Sequence, residues 1–495
     1  RGPDGIPNIL LKKLCGQLAL PLSHIFTISF NSQLVPDGWK HAYIKPLFKQ
    51  GVASDPNNYR PISLTSTCCR VMERIINKEL LDYLLENSLI SKEQHGFIRR
   101  RSTCSNLLEC LQDWILSIDN KRVTDVIYID FKKAFDQVSH NKLLLKLNSY
   151  GITGDLYGWI KSFLSNRTQA VKLDGCLSSV IAILSGVPQG SVLGPILFVL
   201  FINDLVDCFK NLAVSTKLFA DDLKLYTSYG LTDCSCDLTE ALNRVTVWAK
   251  KWQLTINSTK CNVLRIVNPR CKNKSDIVYD LNGSSLKVLS VVKDLGVAVD
   301  KNLRFDNHIS SVVHKSLQRA NLILKCFQSR DRSLLMKAFK VYVRPLLEYA
   351  TPVWSPHFMY LILKIEHVQR SFTKRLFGLK NLTYIDRLKQ LEIDTLEHRR
   401  LIYDLCTCFK IIHGYNDTCL DMNRMHLEGR PNNTRGHNLK LAKEMCRTDM
   451  LRFFFCNRIC TVWNSLPLDV VNAPSVNSFK KRVSKFNLDR FLTLK

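Results

Sequence analysis

Two apolar runs fix where acidic side chains must gather in this 495-residue chain. Val126-Ile127-Tyr128-Ile129 is β-branched and aromatic, the pattern of a buried strand, and it ends at Asp130. Leu218-Phe219-Ala220-Asp221-Asp222-Leu223 sets two more acids between apolar half-strands, 217–220 and 223–226. Acids at strand ends beside apolar stretches repel one another if brought together unpaired at low dielectric. Divalent cations are the cheapest remedy. Two Mg²⁺ ions about 3.5–4 Å apart could use such carboxylates to activate a hydroxyl and stabilise a leaving pyrophosphate. Asp221-Asp222 taken alone is also ordinary hairpin-turn chemistry.

The remaining pattern is globular and mixed. Hydrophobic residues at 46%, with only 20 Gly and 16 Pro, exclude a low-complexity chain, and the length suits two to four domains. No stretch approaches the ~18 uninterrupted apolar residues of a membrane span. The run 192–206 comes closest and is broken by Gly194, Pro195, Asn203 and Asp204. Without an initiator Met, signal peptide or transit segment, the chain is expected to be an interior fragment of a longer product, neither secreted nor membrane-embedded. Apolar periodicity predicts helices over 8–30, 71–89, 105–118, 141–150 and 156–164, and a strand over 41–48. Ile309, Val312, Val313, Leu317, Ala320, Ile323, Leu324 and Phe327 make one stripe, with Lys315, Gln318 and Arg319 off it: an amphipathic helix with a basic back.

Charge narrows the partner. The net charge is +27, and residues 301–495 hold 34 basic against 16 acidic residues, about two thirds of the excess. A polyanion, nucleic acid above all, is the expected partner. Lys364, Arg370, Lys374 and Arg375, set around Ile365, Val368, Phe372 and Leu376, suit a helix packed on one face and basic on the other. The 18 cysteines form no C-x-x-C. Cys406, Cys408, His413 and Cys419 approach a zinc-knuckle order with the first and last gaps off by one, so reduced, partly buried thiols are expected instead.

Longer motifs then line up. Gly2-Pro3-Asp4-Gly5-Ile6-Pro7 is followed by Trp39-Lys40-His41-Ala42-Tyr43-Ile44-Lys45-Pro46-Leu47-Phe48-Lys49 and Asn58-Tyr59-Arg60-Pro61-Ile62-Ser63-Leu64. Next come Gln94-His95-Gly96-Phe97, Arg101-Ser102, and Tyr128-Ile129-Asp130-Phe131-Lys132-Lys133-Ala134-Phe135-Asp136 with Val138 and His140. Ser185-Gly186-Val187-Pro188-Gln189-Gly190-Ser191-Val192-Leu193-Gly194-Pro195 precedes Phe219-Ala220-Asp221-Asp222, then Trp252, Leu254, Asn257 and Lys260, then Leu295-Gly296-Val297. In content and order this resembles the reverse transcriptases of non-LTR (LINE-type) retrotransposons, of the jockey-like and chicken-repeat kind. Past Asp300 the likeness continues more weakly through Tyr342-Val343-Arg344-Pro345-Leu346-Leu347-Glu348-Tyr349 and Trp463-Asn464-Ser465-Leu466-Pro467.

The resemblance implies an α+β right-hand polymerase fold. Residues 1–27 are then part of an N-terminal extension, 28–299 the fingers and palm, 300–400 a helical thumb or connection, and 401–495 a basic, mostly helical C-terminal region. It implies RNA-directed DNA synthesis by two-metal phosphoryl transfer on a primer made at the target. Asp130, Asp221 and Asp222 become the catalytic, metal-holding triad for two Mg²⁺, with Mn²⁺ able to substitute. Lys49, Arg60, Phe131, Phe135, Gln189 and Gly190 are placed at the nucleotide, Phe135 as a ring that clashes with a 2′-hydroxyl. Lys260 is a possible general acid toward pyrophosphate, and Lys315, Arg319, Lys364, Arg370, Lys374 and Arg375 grip the duplex through its phosphates. Implied partners are an RNA template, a DNA primer and target, dNTPs and an upstream endonuclease domain, in an intracellular protein of nucleus and cytoplasm. Two rivals remain: a decayed or domesticated copy that binds nucleic acid without polymerising, and a group II intron maturase-like protein.

Overall fold

The computed structural model describes residues 2–230, 236–268, 277–420, 437–443 and 445–494. Its centre is a sheet in the order Lys287–Leu289, β9 (Asn262–Ile266), β3 (Val123–Ile129), β8 (Asp222–Tyr229), β7 (Ser215–Phe219). β3 runs antiparallel to both neighbours, so it is flanked and almost wholly buried. Its period of two divides the core. Val126, Tyr226 and Leu264 face one side, and Ile127, Ile129, Leu223, Leu225 and Val263 face the other.

The second side is covered by the helices Thr67–Glu86, His140–Ser149, Gly154–Leu164, Gly194–Ile202 and Cys236–Trp252. Gly194–Ile202 is apolar all round and wholly inside, which explains the membrane-like run seen in the sequence. Among the described residues no helix is long and apolar enough to cross a membrane. A smaller sheet joins β1 (His41–Phe48) antiparallel to β2 (Tyr59–Leu64) and parallel to β4 (Arg167–Leu173), and β4 also pairs with β5 (Cys176–Leu177) and β6 (Ile181–Ile183).

The first side carries the helix Thr103–Asp119. Its start is fixed by a capping box in which Ser102 and Ser105 each satisfy the other's backbone N–H. It buries Leu107, Leu108, Leu111, Trp114, Ile115 and Ile118. The same apolar cluster runs on through the helices Asp306–Cys326, Arg332–Tyr342, Met359–Lys374, Leu396–Ile412 and Phe455–Asn464 to Leu488. Cys408 and Phe409 are buried in that cluster, and the described cysteines are free thiols.

Several boundaries differ from the sequence pattern. The helix expected over 8–30 is two helices, Asn8–Lys13 and Cys15–Asn31, because Leu14 leaves helical dihedrals at φ −104°, ψ 22°. The helix expected from residue 71 begins at Thr67, where the Ser66 hydroxyl accepts from Cys69 N. Its first turn carries cysteines rather than large apolar residues, so periodicity alone starts it late.

The C-terminal helices bear on the central sheet through the hairpin Val291–Asp294/Val297–Asp300. Tyr349 Oη donates to Leu295 O at 2.7 Å, and Ala298 N donates to His308 Nδ1 at 3.2 Å. The His308 ring is buried edge-on to Trp354. Burial, with Lys315 nearby, holds its imidazole down at about 4 against an ordinary 6.5. Between those values the unfolded chain takes up a proton that the folded chain refuses. Stability is therefore full above pH 6.5 and is lost as the pH falls toward 4, by up to about 3 kcal/mol. In His308→Gln the amide can still accept from Ala298, so the gap between unfolding midpoints at neutral pH and at about pH 5 should shrink; an equal gap in both proteins would assign the acid sensitivity elsewhere.

Candidate active site

The sheet register brings the three acids to one edge. Ile129 pairs with Leu223, so Asp130, just past the end of β3, emerges beside Asp222 at the start of β8. Phe219 pairs with Asp222, leaving Ala220-Asp221 as a two-residue hairpin loop. The turn expected from Asp-Asp chemistry is therefore real, but the left-handed position falls on Ala220, at φ +56°. An alanine there is strained, and the surroundings hold it. Ala220 N donates to Gln94 Oε1 at 2.9 Å, and Gln94 Nε2 donates back to Ala220 O at 3.4 Å. Gly96 lies so close that a Cβ on it would sit 2.3 Å from Ala220 N.

Asp130 is oriented from the other side. Asn257 N donates to Asp130 O at 2.8 Å, and Asn257 Nδ2 donates to Asp130 Oδ2 at 3.0 Å. Lys260 Nζ stands 3.9 Å from that same oxygen, with both groups partly open to solvent. The sequence pattern names Gln94, Gly96 and Asn257 without a role. Their positioning work is visible only once residues 94 and 220, or 130 and 257, are neighbours.

Electrostatics set the two hairpin acids apart from ordinary surface carboxylates. Burial first, then the charge of Asp130, raises the Asp221 carboxyl, while its own backbone N–H, Lys49 and Arg60 pull it down. Asp222 goes further, up to about 7, through close packing around it and then Asp221 and Asp294. Solvent still reaches Asp222 from the cleft, so the like charges are the cause a bound cation would remove. Among the described residues neither Asp221 nor Asp222 has an ion-pair partner within 4.0 Å. The donors are all hard oxygens, which fits Mg²⁺ or Mn²⁺ rather than a softer metal. They are gathered rather than caged: among the described residues no three acidic, imidazole or thiol groups are arranged to hold an ion as they stand.

The smaller sheet delivers the basic residues. Arg60 on β2 lies opposite Leu47, and Lys49 N, just beyond β1, donates to Asn58 O. Both side chains are exposed, and both act on Asp221. Phe135 is half-buried, stacked on Phe198 with centroids 4.1 Å apart. Phe131 departs from expectation. Its ring is 4% exposed and packs against Trp248 inside the core, because Phe131 continues the alternation of Ile127 and Ile129 two residues beyond the end of β3. A nucleotide could meet only its backbone.

Gln189 and Gly190 also serve a neighbour first. Gln189 Nε2 donates to Asp136 Oδ1 at 2.8 Å, and Gln189 O accepts from Ser63 N at 2.7 Å. Gly190, at φ +114°, lies against Ser63 O, where a Cβ would come within 2.7 Å. The bare backbone expected to approach a nucleotide thus approaches the basic sheet, closing it onto the acids. Buried Glu73 holds the far end of this loop, accepting from Val192 N at 2.7 Å and Leu193 N at 3.0 Å. Farther out, Lys315, Arg319, Lys364, Arg370, Lys374 and Arg375 are all exposed on the C-terminal helices. Four are already engaged: Arg319 donates to Tyr342 O, Lys364 to Ser310 and Arg375 to Asn321, and Arg370 lies over the Tyr384 ring.

Residues 47–299 match the family described as Reverse transcriptase (RNA-dependent DNA polymerase). The chain is 30% identical over 372 residues to a probable RNA-directed DNA polymerase from transposon BS of Drosophila melanogaster, covering 72% of this chain and 40% of that protein. It is 31% identical over 389 residues to the RNA-directed DNA polymerase from mobile element jockey of Drosophila funebris, covering 76% and 42%. Among solved structures it is similar to apo telomerase from Candida tropicalis, at 13% identity and a TM-score of 0.43, over 78% of this chain and 64% of that one. The chain spans about two fifths of the length of the curated relatives it matches. With its motifs in family order and the expected α+β fold, the chain belongs to the reverse transcriptase (RNA-dependent DNA polymerase) family, on the branch of the non-LTR retrotransposon proteins.

Proposed function

We propose that this chain extends a DNA 3′-hydroxyl on an RNA template with dNTPs. The observation that carries the reading is the meeting of Asp130, Asp221 and Asp222 at one strand edge, faced by Lys49 and Arg60 from the second sheet. Divalent cations, when bound by these acids, would activate the primer hydroxyl and neutralise charge on the leaving pyrophosphate. Asn257 keeps one Asp130 oxygen turned to the site, and Gln94 keeps the hairpin there. Arg60 would grip the triphosphate as a fork and Lys49 as a point charge. Lys260, at the rim, would give a proton to pyrophosphate. Phe135, braced on Phe198, would bar a ribose 2′-hydroxyl by steric exclusion.

Residues 28–299 would then act as fingers and palm, and 300–400 as a thumb whose exposed Lys315, Arg319, Lys364, Arg370, Lys374 and Arg375 track phosphates. Primer extension on poly-rA with oligo-dT, dTTP and Mg²⁺ or Mn²⁺ tests the reading, and chelation should stop it. Phe135→Ala should cut the preference for dNTP over rNTP by at least about tenfold. A wild type that shifts the primer–template on a gel yet never extends it would leave a binding protein and sink the polymerase reading.

A further inference from the structure

The strand that delivers Asp221 and Asp222 is an edge strand, and what covers it comes partly from the far end of the chain. Glu93 to Gly96 runs alongside β7: Leu218 N donates to Glu93 O and His95 N donates to Leu218 O, both at 2.9 Å. Behind this segment the Thr103–Asp119 helix presents the buried carboxylate of Glu109. Lys217 Nζ, on β7 four residues before Asp221, donates to Glu109 Oε2 at 2.7 Å, and His95 Nε2 lies 3.3 Å from the same oxygen. The other oxygen, Oε1, accepts from Thr418 Oγ1 at 2.8 Å and from Cys419 N at 2.7 Å. Next to them, Asp417 N donates to Arg100 O at 2.9 Å.

Glu109 therefore has two faces with different clients. One holds the strand that ends in the catalytic acids, and the other holds a segment more than 300 residues later in the chain. Burial alone would raise the Glu109 carboxyl, but His95 and Lys217 reverse this and bring it down to about 2, so it stays an anion with full accepting capacity. A buried anion stripped of two of its donors does not keep its geometry. It moves toward the donors that remain, which here are on β7 and beside it.

We infer that Glu109 is a positioning residue which makes the placement of the Asp221-Asp222 hairpin depend on the seating of residues 417–419. The region beyond residue 400 then acts on the chemical step itself, not only on nucleic-acid affinity. This rests on the polymerase reading for its kinetic test, but not for its structural one.

Thr418→Val is nearly isosteric and removes one donor, while Thr418→Ser keeps the hydroxyl. Expected for Thr418→Val is a fall in kcat of about tenfold, with KM for dTTP and primer–template affinity unchanged and Thr418→Ser restored to wild type. Glu109→Gln, which keeps an acceptor for residues 418–419 and weakens the Lys217 arm, should lower kcat as well, and the double variant should fall short of the product of the two losses. Independently of activity, amide hydrogen exchange in the peptide 215–223 should quicken in Thr418→Val and not in Thr418→Ser. Equal exchange in both variants and the wild type overturns the inference whether or not the chain polymerises. So does an active Thr418→Val whose only loss is in primer–template binding or in KM. If the wild type fails to extend a primer while Thr418→Val still quickens exchange, the polymerase reading falls and the coupling stands.

Discussion

Asp221→Asn/Asp222→Asn should retain less than about 0.1% of wild-type primer extension, because two groups that would hold the metals are lost together. The same protein should melt no lower than wild type in the absence of metal. Burial and the charge of Asp130 raise the proton affinity of Asp221, and burial with the charge of Asp221 raises that of Asp222, while an amide pair has the same shape and carries no charge to repel or desolvate. Mg²⁺ should raise the wild-type melting temperature and leave that of the double variant where it was. An inactive variant that melts well below the wild type would mean that the acids are framework, and the activity loss would then say nothing about catalysis. Primer–template affinity gives the third check. It should change little, since the exposed basic residues that would bind phosphates lie on other elements.

Gly96→Ala should do comparable damage by a different route. The added Cβ would sit 2.3 Å from Ala220 N, 3.0 Å from Ala220 Cα and 3.0 Å from Gln94 Oε1. Two of those atoms are backbone of the turn that carries Asp221, and the third is the acceptor that holds the turn in its strained conformation. The two backbone atoms cannot yield as the end of a flexible side chain could. The hairpin must shift by several tenths of an ångström, and activity should drop about a hundredfold, with stability lower by roughly 1–3 kcal/mol. Gly16→Ala is the matched control. Nothing lies within 4 Å of its Cβ position, and it sits in the helix Cys15–Asn31, where alanine is the better helix former. Wild-type activity in Gly96→Ala would show that the hairpin tolerates displacement, and the account of Gln94 and Gly96 as its brace would be wrong.

The sequence made the acids legible because each follows directly on an apolar run, Val126–Ile129 stopping at Asp130 and Leu218–Phe219 one alanine short of Asp221. The strand His41–Phe48 was legible for a similar reason, the turn at Pro36-Asp37-Gly38 marking its approach. Side chains whose work lies across the fold were not. Nothing local distinguishes Gln94 from a surface glutamine, or Glu109 from one more acid in a helix; each is defined by a partner over a hundred residues away. Phe131 misled for the converse reason. Proximity to Asp130 along the chain suggested proximity to a nucleotide, while the alternation of β3 sends neighbouring side chains to opposite faces. The basic C-terminal helices fall between these cases. Composition foretold their charge, but the engagement of Lys364 and Arg375 with Ser310 and Asn321 depends on how two helices pack.

The apolar cluster that begins at Leu107 and closes at Leu488 sets a schedule for the ribosome. At about 5–20 residues per second, synthesis needs roughly 20–70 s to pass from the first of these side chains to the last. Until the last of these segments is made, Leu107, Leu108, Leu111 and Trp114 lack part of the cluster that buries them. Chaperones that shield nascent apolar surface, or slow codons that hold translation back, would therefore change the yield of this chain most between residues 119 and 488, an interval that continues long after the acidic hairpin itself has been synthesised.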